Sequence, residues 1–122
     1  MRVLVCGGRD FKDVAKLWRV LDELDQTEGP IRCVMDGASD DVTGSYIGAD
    51  YWGNQWALAR DKPTLRFHAE WKCLGRAAGP TRNKRMLVEG KPDVVVAAPG
   101  GRGTADMIRQ TRAAGVRVIE VS

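Results

Sequence analysis

The sequence predicts an α/β fold, a Rossmann-like three-layer sandwich on a five-stranded parallel sheet, and three observations carry that prediction. Short β-branched apolar runs alternate along the chain with segments of helical periodicity, the order of successive βα units. Glycine-rich turns follow the first, second and fourth of these runs. One run, Asp93 to Ala98 (DVVVAA), is apolar without interruption, as a strand is when helices cover both faces of its sheet.

Arg2 to Cys6 (RVLVC) reads as the first strand. Val14, Leu17, Leu21 and Leu24 then recur at helical spacing until Gly29 and Pro30 stop the helix. Ile31 to Met35 makes the second strand. Gly48 to Arg60 (GADYWGNQWALAR) forms the second helix despite Gly53, which costs ~1 kcal/mol in a helix interior. Thr64 to His68 is the third strand. Pro80 suits the first turn of a helix through Leu87, because its missing N–H has no partner to lose there. Asp93 to Ala98 is the fourth strand, Thr104 to Ala114 a helix ended by Gly115, and Arg117 to Val121 the last strand.

Hydrophobic residues make up 43% and charged residues 29% of the 122, which suits one domain over residues 1–122 and excludes a disordered or fibrous chain. The formal net charge of +3 is too mild to mark a nucleic-acid binder, so nucleic acid is not the expected partner. The charge is unevenly spread. Residues 1–61 carry 7 basic against 11 acidic side chains, net −4, whereas residues 62–122 carry 12 against 5, net +7. Cys6, Cys33 and Cys73 are far apart and lack CxxC spacing, so neither a disulfide framework nor a metal site is expected, and a cytoplasmic setting fits best. The apolar run of MRVLVCGG is too short for a signal peptide, and no stretch reaches the ~20 apolar residues of a membrane span. A single histidine, His68, excludes sites that need two imidazoles, and no resident cofactor is expected.

In a parallel sheet of this kind ligands bind at the carboxyl ends of the strands, where the three glycine turns should converge. Pro99 to Thr104 (PGGRGT) carries the clearest chemistry. Gly100, Gly101 and Gly103, with Arg102 among them, let the backbone approach a ligand, and the helix that starts at Thr104 offers free N–H groups and a positive dipole end to a phosphate. A tight turn with no ligand is the plainer alternative. Gly7, Gly8, Arg9 and Asp10 form a weaker cradle, in which Arg9 and Asp10 could instead pair at the surface. Gly37 and Ala38 open a twelve-residue loop ending at Gly48, which either covers a ligand or is a surface insertion. Arg82 and Asn83 fall in the first turn of the fourth helical segment, where the guanidinium can grip phosphate or carboxylate. Asp50 and Glu70 are candidate general bases, with an ordinary exposed carboxylate the plainer alternative, and Asp50 or Asp10 is expected to bond hydroxyl groups of the ligand. A base could stack on Trp18, Trp52, Trp56 or Trp71, although Trp52 and Trp56, four apart, suit core packing or a subunit contact better.

Taken together, VLVCGGRDF, Gly37-Ala38, GADYWGNQWALAR, HAEW, GRAAGPTRNKRML and PGGRGTADM resemble the SLOG group of Rossmann-like proteins, and within it the YspA-like (YAcAr) branch. The resemblance implies a nucleotide or nucleotide-derived ligand held by the first glycine turn and the PGGRGT loop. The group also contains phosphoribohydrolases, whose pattern is an R-K-x-x-M helix and a Glu three residues after the GT of PGGxGT. Arg82 and Met86 match the helix with Asn83 in place of Lys, but Met107 stands at the Glu position. A thioether can neither stabilise an oxocarbenium ion nor activate water, so ligand binding is the leading expectation. Hydrolysis of an N-glycosidic bond, with Arg82 and Asp106 (or Glu70) as the catalytic pair, is the alternative. Asp106 points about 100° away from Met107 around a helix. The branch joins its glycine and GAD segments closely, whereas DDVTGSYI extends the loop here. So small a sheet leaves little room for a closed pocket, from which a homodimer is expected.

Overall fold

The computed structural model describes residues 1–41 and 43–122. The strands are β1 (Arg2–Cys6), β2 (Cys33–Asp36), β3 (Thr64–Arg66), β4 (Val94–Ala97) and β5 (Arg117–Glu120). All pair parallel in the order β3-β2-β1-β4-β5, with Leu4 facing Met35 on one side and Val95 on the other. The helices are α1 (Val14–Thr27), α2 (Gly48–Ala59), α3 (Trp71–Leu74), α4 (Ala78–Val88) and α5 (Arg102–Ala113), and a 3₁₀ turn spans Gly75–Ala77. The expected α/β Rossmann-like sandwich is therefore the fold of the chain.

Strand order decides where the helices lie. The chain steps outward from β1 to β2 to β3, then returns to the far side of β1 for β4 and β5. With right-handed crossovers that reversal moves α4 and α5 to the face opposite α1 and α2. The period-2 alternation of a strand then divides one apolar run between two cores. Val3, Val5, Val94 and Val96 meet Leu17, Leu21 and Trp56 on the first face. Leu4, Cys6, Val95 and Ala97 meet Met86 and Met107 on the second. Gly53 now has a reason: a Cβ there would lie 2.8 Å from the Cβ of Val5, so α2 sits on β1 only because that residue is glycine.

Several boundaries depart from the sequence reading. Ile31 is apolar and buried, but its N–H goes to Asp25 Oδ1 at 2.7 Å, and β2 begins only at Cys33. β3 stops at Arg66 rather than His68, and both edge strands are short and carry exposed charge, which discourages edge pairing. α5 starts two residues before Thr104, and α4 two before Pro80, which still falls in its first turn. α3 and the turn after it were not foreseen. None of their residues is buried, so hydrophobic periodicity had nothing to report. Among the described residues no helix is long and apolar enough to cross a membrane.

Candidate functional site

The step back from β3 to β4 makes the carboxyl ends of β1 and β4 a topological switch point, the place where open α/β sheets bind ligands. Three loops meet there on Gly8. Its N–H donates to the Pro99 carbonyl at 2.9 Å, and its own carbonyl accepts from the Ala49 N–H at 3.2 Å. A Cβ on Gly100 would fall 2.7 Å from Gly8 N and 2.2 Å from Thr104 Oγ1. One on Gly48, whose φ is +78°, would fall 2.5 Å from the Gly8 carbonyl oxygen. These glycines are required by the closeness of three backbones. Gly101 and Gly103 differ, because a Cβ on either would meet open space.

Both glycines border a cleft of about 950 Å³. Gly7, Gly8, Arg9, Asp10, Gly37, Asp50, Arg82, Asn83 and the whole stretch Gly100 to Thr104 line it, as does Asp106. Ala38 does not. It is held in the left-handed region (φ 54°), its N–H bonded to Asp36 Oδ1 at 2.7 Å, and it walls a side pocket of about 50 Å³ shared with His68. One chain thus forms an open cleft with a volume suited to a small ligand. The sequence reading missed Arg76 and Arg109 on the cleft wall; with Arg9, Arg82 and Arg102 they give it five arginines against three aspartates. The first N–H groups of α5 open onto the same space, and Gly101 at its cap has no side chain to satisfy them.

A hydrogen-bonded chain ties the second glycine turn to the PGGRGT loop. Arg82 Nη1 donates to the Gly37 carbonyl at 2.5 Å and its Nε to Asn83 Oδ1 at 2.9 Å. Asn83 Nδ2 in turn donates to the Gly103 carbonyl at 3.2 Å and to Asp106 Oδ2 at 3.0 Å. Asparagine, with both donor and acceptor, can bridge in this way where lysine has only donors. Burial draws the Arg82 pKa down, against the opposing pull of Asp50 and Asp36. Burial alone would raise Asp106, but bonds from Asn83, Gln110 and Arg109 hold it below the usual carboxylate range. Met107 is buried in the second core and also reaches the cleft floor.

Asp50, on the cleft lining, and Asp36 behind it form an acidic pair that the sequence reading did not see as a pair. Asp50, expected at the surface, is 3% exposed, with Oδ2 accepting from Ser39 N (3.1 Å) and Ser39 Oγ (2.7 Å); burial raises its pKa. Asp36, at the end of β2, is fully buried and accepts a short hydrogen bond from the Tyr46 hydroxyl. Burial, then the nearby Asp50, push its pKa up to about 7. The sequence signal for Asp36 was its position as the last residue of an apolar strand run before a glycine turn. Tyr46 also shows what the extended loop does: an Asp40–Tyr46 bridge folds it back on its own base, and among its described residues Gly37 and Ser39 alone line the cleft. Residue 42 of that loop lies outside the described residues. Cys6 borders the cleft, but burial drives its thiol pKa upward, which makes it a poor nucleophile.

Trp18, Trp52 and Trp56 belong to the first core layer. Trp18 Nε1 donates to the Trp52 carbonyl at 3.0 Å, and Trp56 Nε1 to Asp22 Oδ1 at 2.9 Å. Trp71 stands apart, at the cleft.

Among solved structures, the crystal structure of glycinamide ribonucleotide transformylase 1 from Symbiobacterium toebii is similar over 98% of this chain, with a TM-score of 0.53 and 19% identity. This chain spans half the length of that one, and the likeness is one of fold. Comparison with curated proteins finds no match. The family model described as YspA, cpYpsA-related SLOG family matches residues 1–73, which take in the first two glycine turns, α2 and Trp71. With more than half of its length so matched, the chain belongs to the YspA, cpYpsA-related SLOG family.

Proposed function

We propose that the cleft binds a nucleotide or nucleotide-derived small molecule, as the resemblance to the SLOG group implies. The observation that carries this reading is the opening of the α5 N-terminus, uncapped by any side chain, onto a cleft of about 950 Å³ with five arginines on its wall. Helix N-termini favour anions, and arginine matches phosphate geometry with two parallel donors. The phosphate rests on the amides of Gly101 to Thr104, with Arg82 and Arg9 as clamps. Arg82 is already oriented by Gly37 and Asn83, which lowers the entropy cost of gripping a ligand. Asp10 at the rim bonds sugar hydroxyls, since one oxygen of Asp50 is committed to Ser39. Calorimetry against nucleoside mono- and diphosphates, cyclic nucleotides and ADP-ribose derivatives tests the reading. Submillimolar binding of at least one supports it, and uniformly weaker binding refutes it.

A second reading is hydrolysis of an N-glycosidic bond in a nucleoside monophosphate. It is favoured by the Arg82–Asn83–Asp106 chain, which sets a guanidinium and a low-pKa carboxylate on one wall. An ionised carboxylate stabilises the positive charge of an oxocarbenium-like transition state. Release of free base, abolished in Arg82→Ala and Asp106→Asn, separates an enzyme from a pure binder.

A further inference from the structure

We propose that Trp71 is the stacking platform for the base of the ligand, which makes the site selective for nucleotides over sugar phosphates that lack a base. The inference rests on the reading of the cleft as a nucleotide site. Of the four tryptophans, three are engaged in the first core layer, whereas Trp71 is 48% exposed and lines both the main cleft and its side pocket. Packing does not account for it. The short α3 and the 3₁₀ turn after it contain no buried residue, so this segment adds nothing to either core. The indole does have a seat: its Cη2 lies 3.3 Å from where a Cβ on Gly79 would stand, so glycine at that position in α4 lets the ring lie against the helix. An exposed aromatic held in place at a cleft wall is a surface for another flat ring. The cleft therefore has two chemically distinct poles, an anion pole at the α5 N-terminus and an aromatic pole at Trp71. A nucleotide carries both matching groups, and ribose 5-phosphate only one.

The test is titration of the full chain with AMP, GMP, CMP, UMP and ribose 5-phosphate, by calorimetry and by tryptophan fluorescence. At least one nucleotide is expected to bind about 5- to 150-fold more tightly than ribose 5-phosphate, the range that base–aromatic stacking supplies. Its binding should quench part of the tryptophan emission. In Trp71→Leu the affinity ratio falls towards one, and in Trp71→Phe, which keeps an aromatic face, most of it is retained. A ratio as large in Trp71→Leu as in the native chain overturns the proposal. So does equal binding of nucleotides and ribose 5-phosphate, which would leave the anion pole standing. Binding of none of the five ligands overturns both the platform and the nucleotide reading beneath it.

Discussion

Asp36 ties the stability of this fold to pH, and Asp36→Asn is the perturbation that exposes the link. Burial and Asp50 hold the folded carboxyl at about 7, against an ordinary value of 3.8. Between those values the folded chain keeps a proton that the unfolded chain has released, so stability falls as pH rises. At ~1.4 kcal/mol per pH unit the gap amounts to about 4 kcal/mol once Asp36 is fully ionised, and roughly 2–3 kcal/mol of it develops between pH 5 and 8. Asp50, raised by its own burial, acts in the same direction. The carboxylates with lowered pKa, Asp22, Asp25, Asp41 and Asp106, contribute stability that is lost only as pH falls below the ordinary range, so they leave this window clear. The amide substitution preserves the local geometry. Its oxygen still accepts from the Ala38 N–H, and its nitrogen can donate to Tyr46 Oη, whose own proton can turn to the Asp50 carbonyl 3.1 Å away. Thermal and urea unfolding at pH 5 and 8 read the effect. At ~4 °C per kcal/mol for a chain of this size, the native protein should lose roughly 8–12 °C of melting temperature across the window, and Asp36→Asn should lose much less. Native stability that is flat or rises over that window refutes the reasoning, as does an unchanged slope in the variant.

The two classes of glycine should separate on substitution. Gly100→Ala drives a Cβ against a backbone nitrogen and is expected to cost ~1–3 kcal/mol in urea unfolding, whereas Gly103→Ala, in open space within α5, should stay within ~1 kcal/mol of native. Equal costs would contradict the crowding at Gly8. Arg82→Ala should weaken nucleoside monophosphate binding about 10- to 100-fold in calorimetry, the usual worth of hydrogen bonds to a charged group, and an unaltered affinity would move the phosphate elsewhere. Asp22→Ala strands the indole N–H of the fully buried Trp56 and should cost ~1–3 kcal/mol, with a loss under ~0.5 kcal/mol showing that the bond at 2.9 Å is unimportant.

The fold was largely legible because each element declares itself over a few residues. β1 from Val3 onward and the whole of β4 are apolar, since both faces of each meet a core, and α1 shows its buried stripe at Leu17, Leu21 and Leu24. The convergence of the turns was legible for a geometric reason. In a parallel sheet all carboxyl ends point one way, so glycine turns at those ends must share one rim, and all the ligand residues read there except Ala38 do line one cleft. Reading failed where a residue's role depends on a distant partner. The apolar Ile31 looked like strand, but Asp25 takes its N–H. Asp50 looked exposed, but Ser39 and the strand ends close over it.

By itself the sequence determined the succession of βα units, the position of the glycine-rich loop at the start of α5, and the concentration of positive charge in the second half. Periodicity, turn chemistry and charge are short-range properties, and the residues that carry them are neighbours in the chain. Only the tertiary structure decided that β4 returns beside β1, and with it everything that depends on contact across the chain. That one step presses Gly100 against Gly8, joins Arg82 to Gly37, and separates glycines that are crowded from glycines that face open space. It also leaves Trp71 at the cleft while the other tryptophans fill the core.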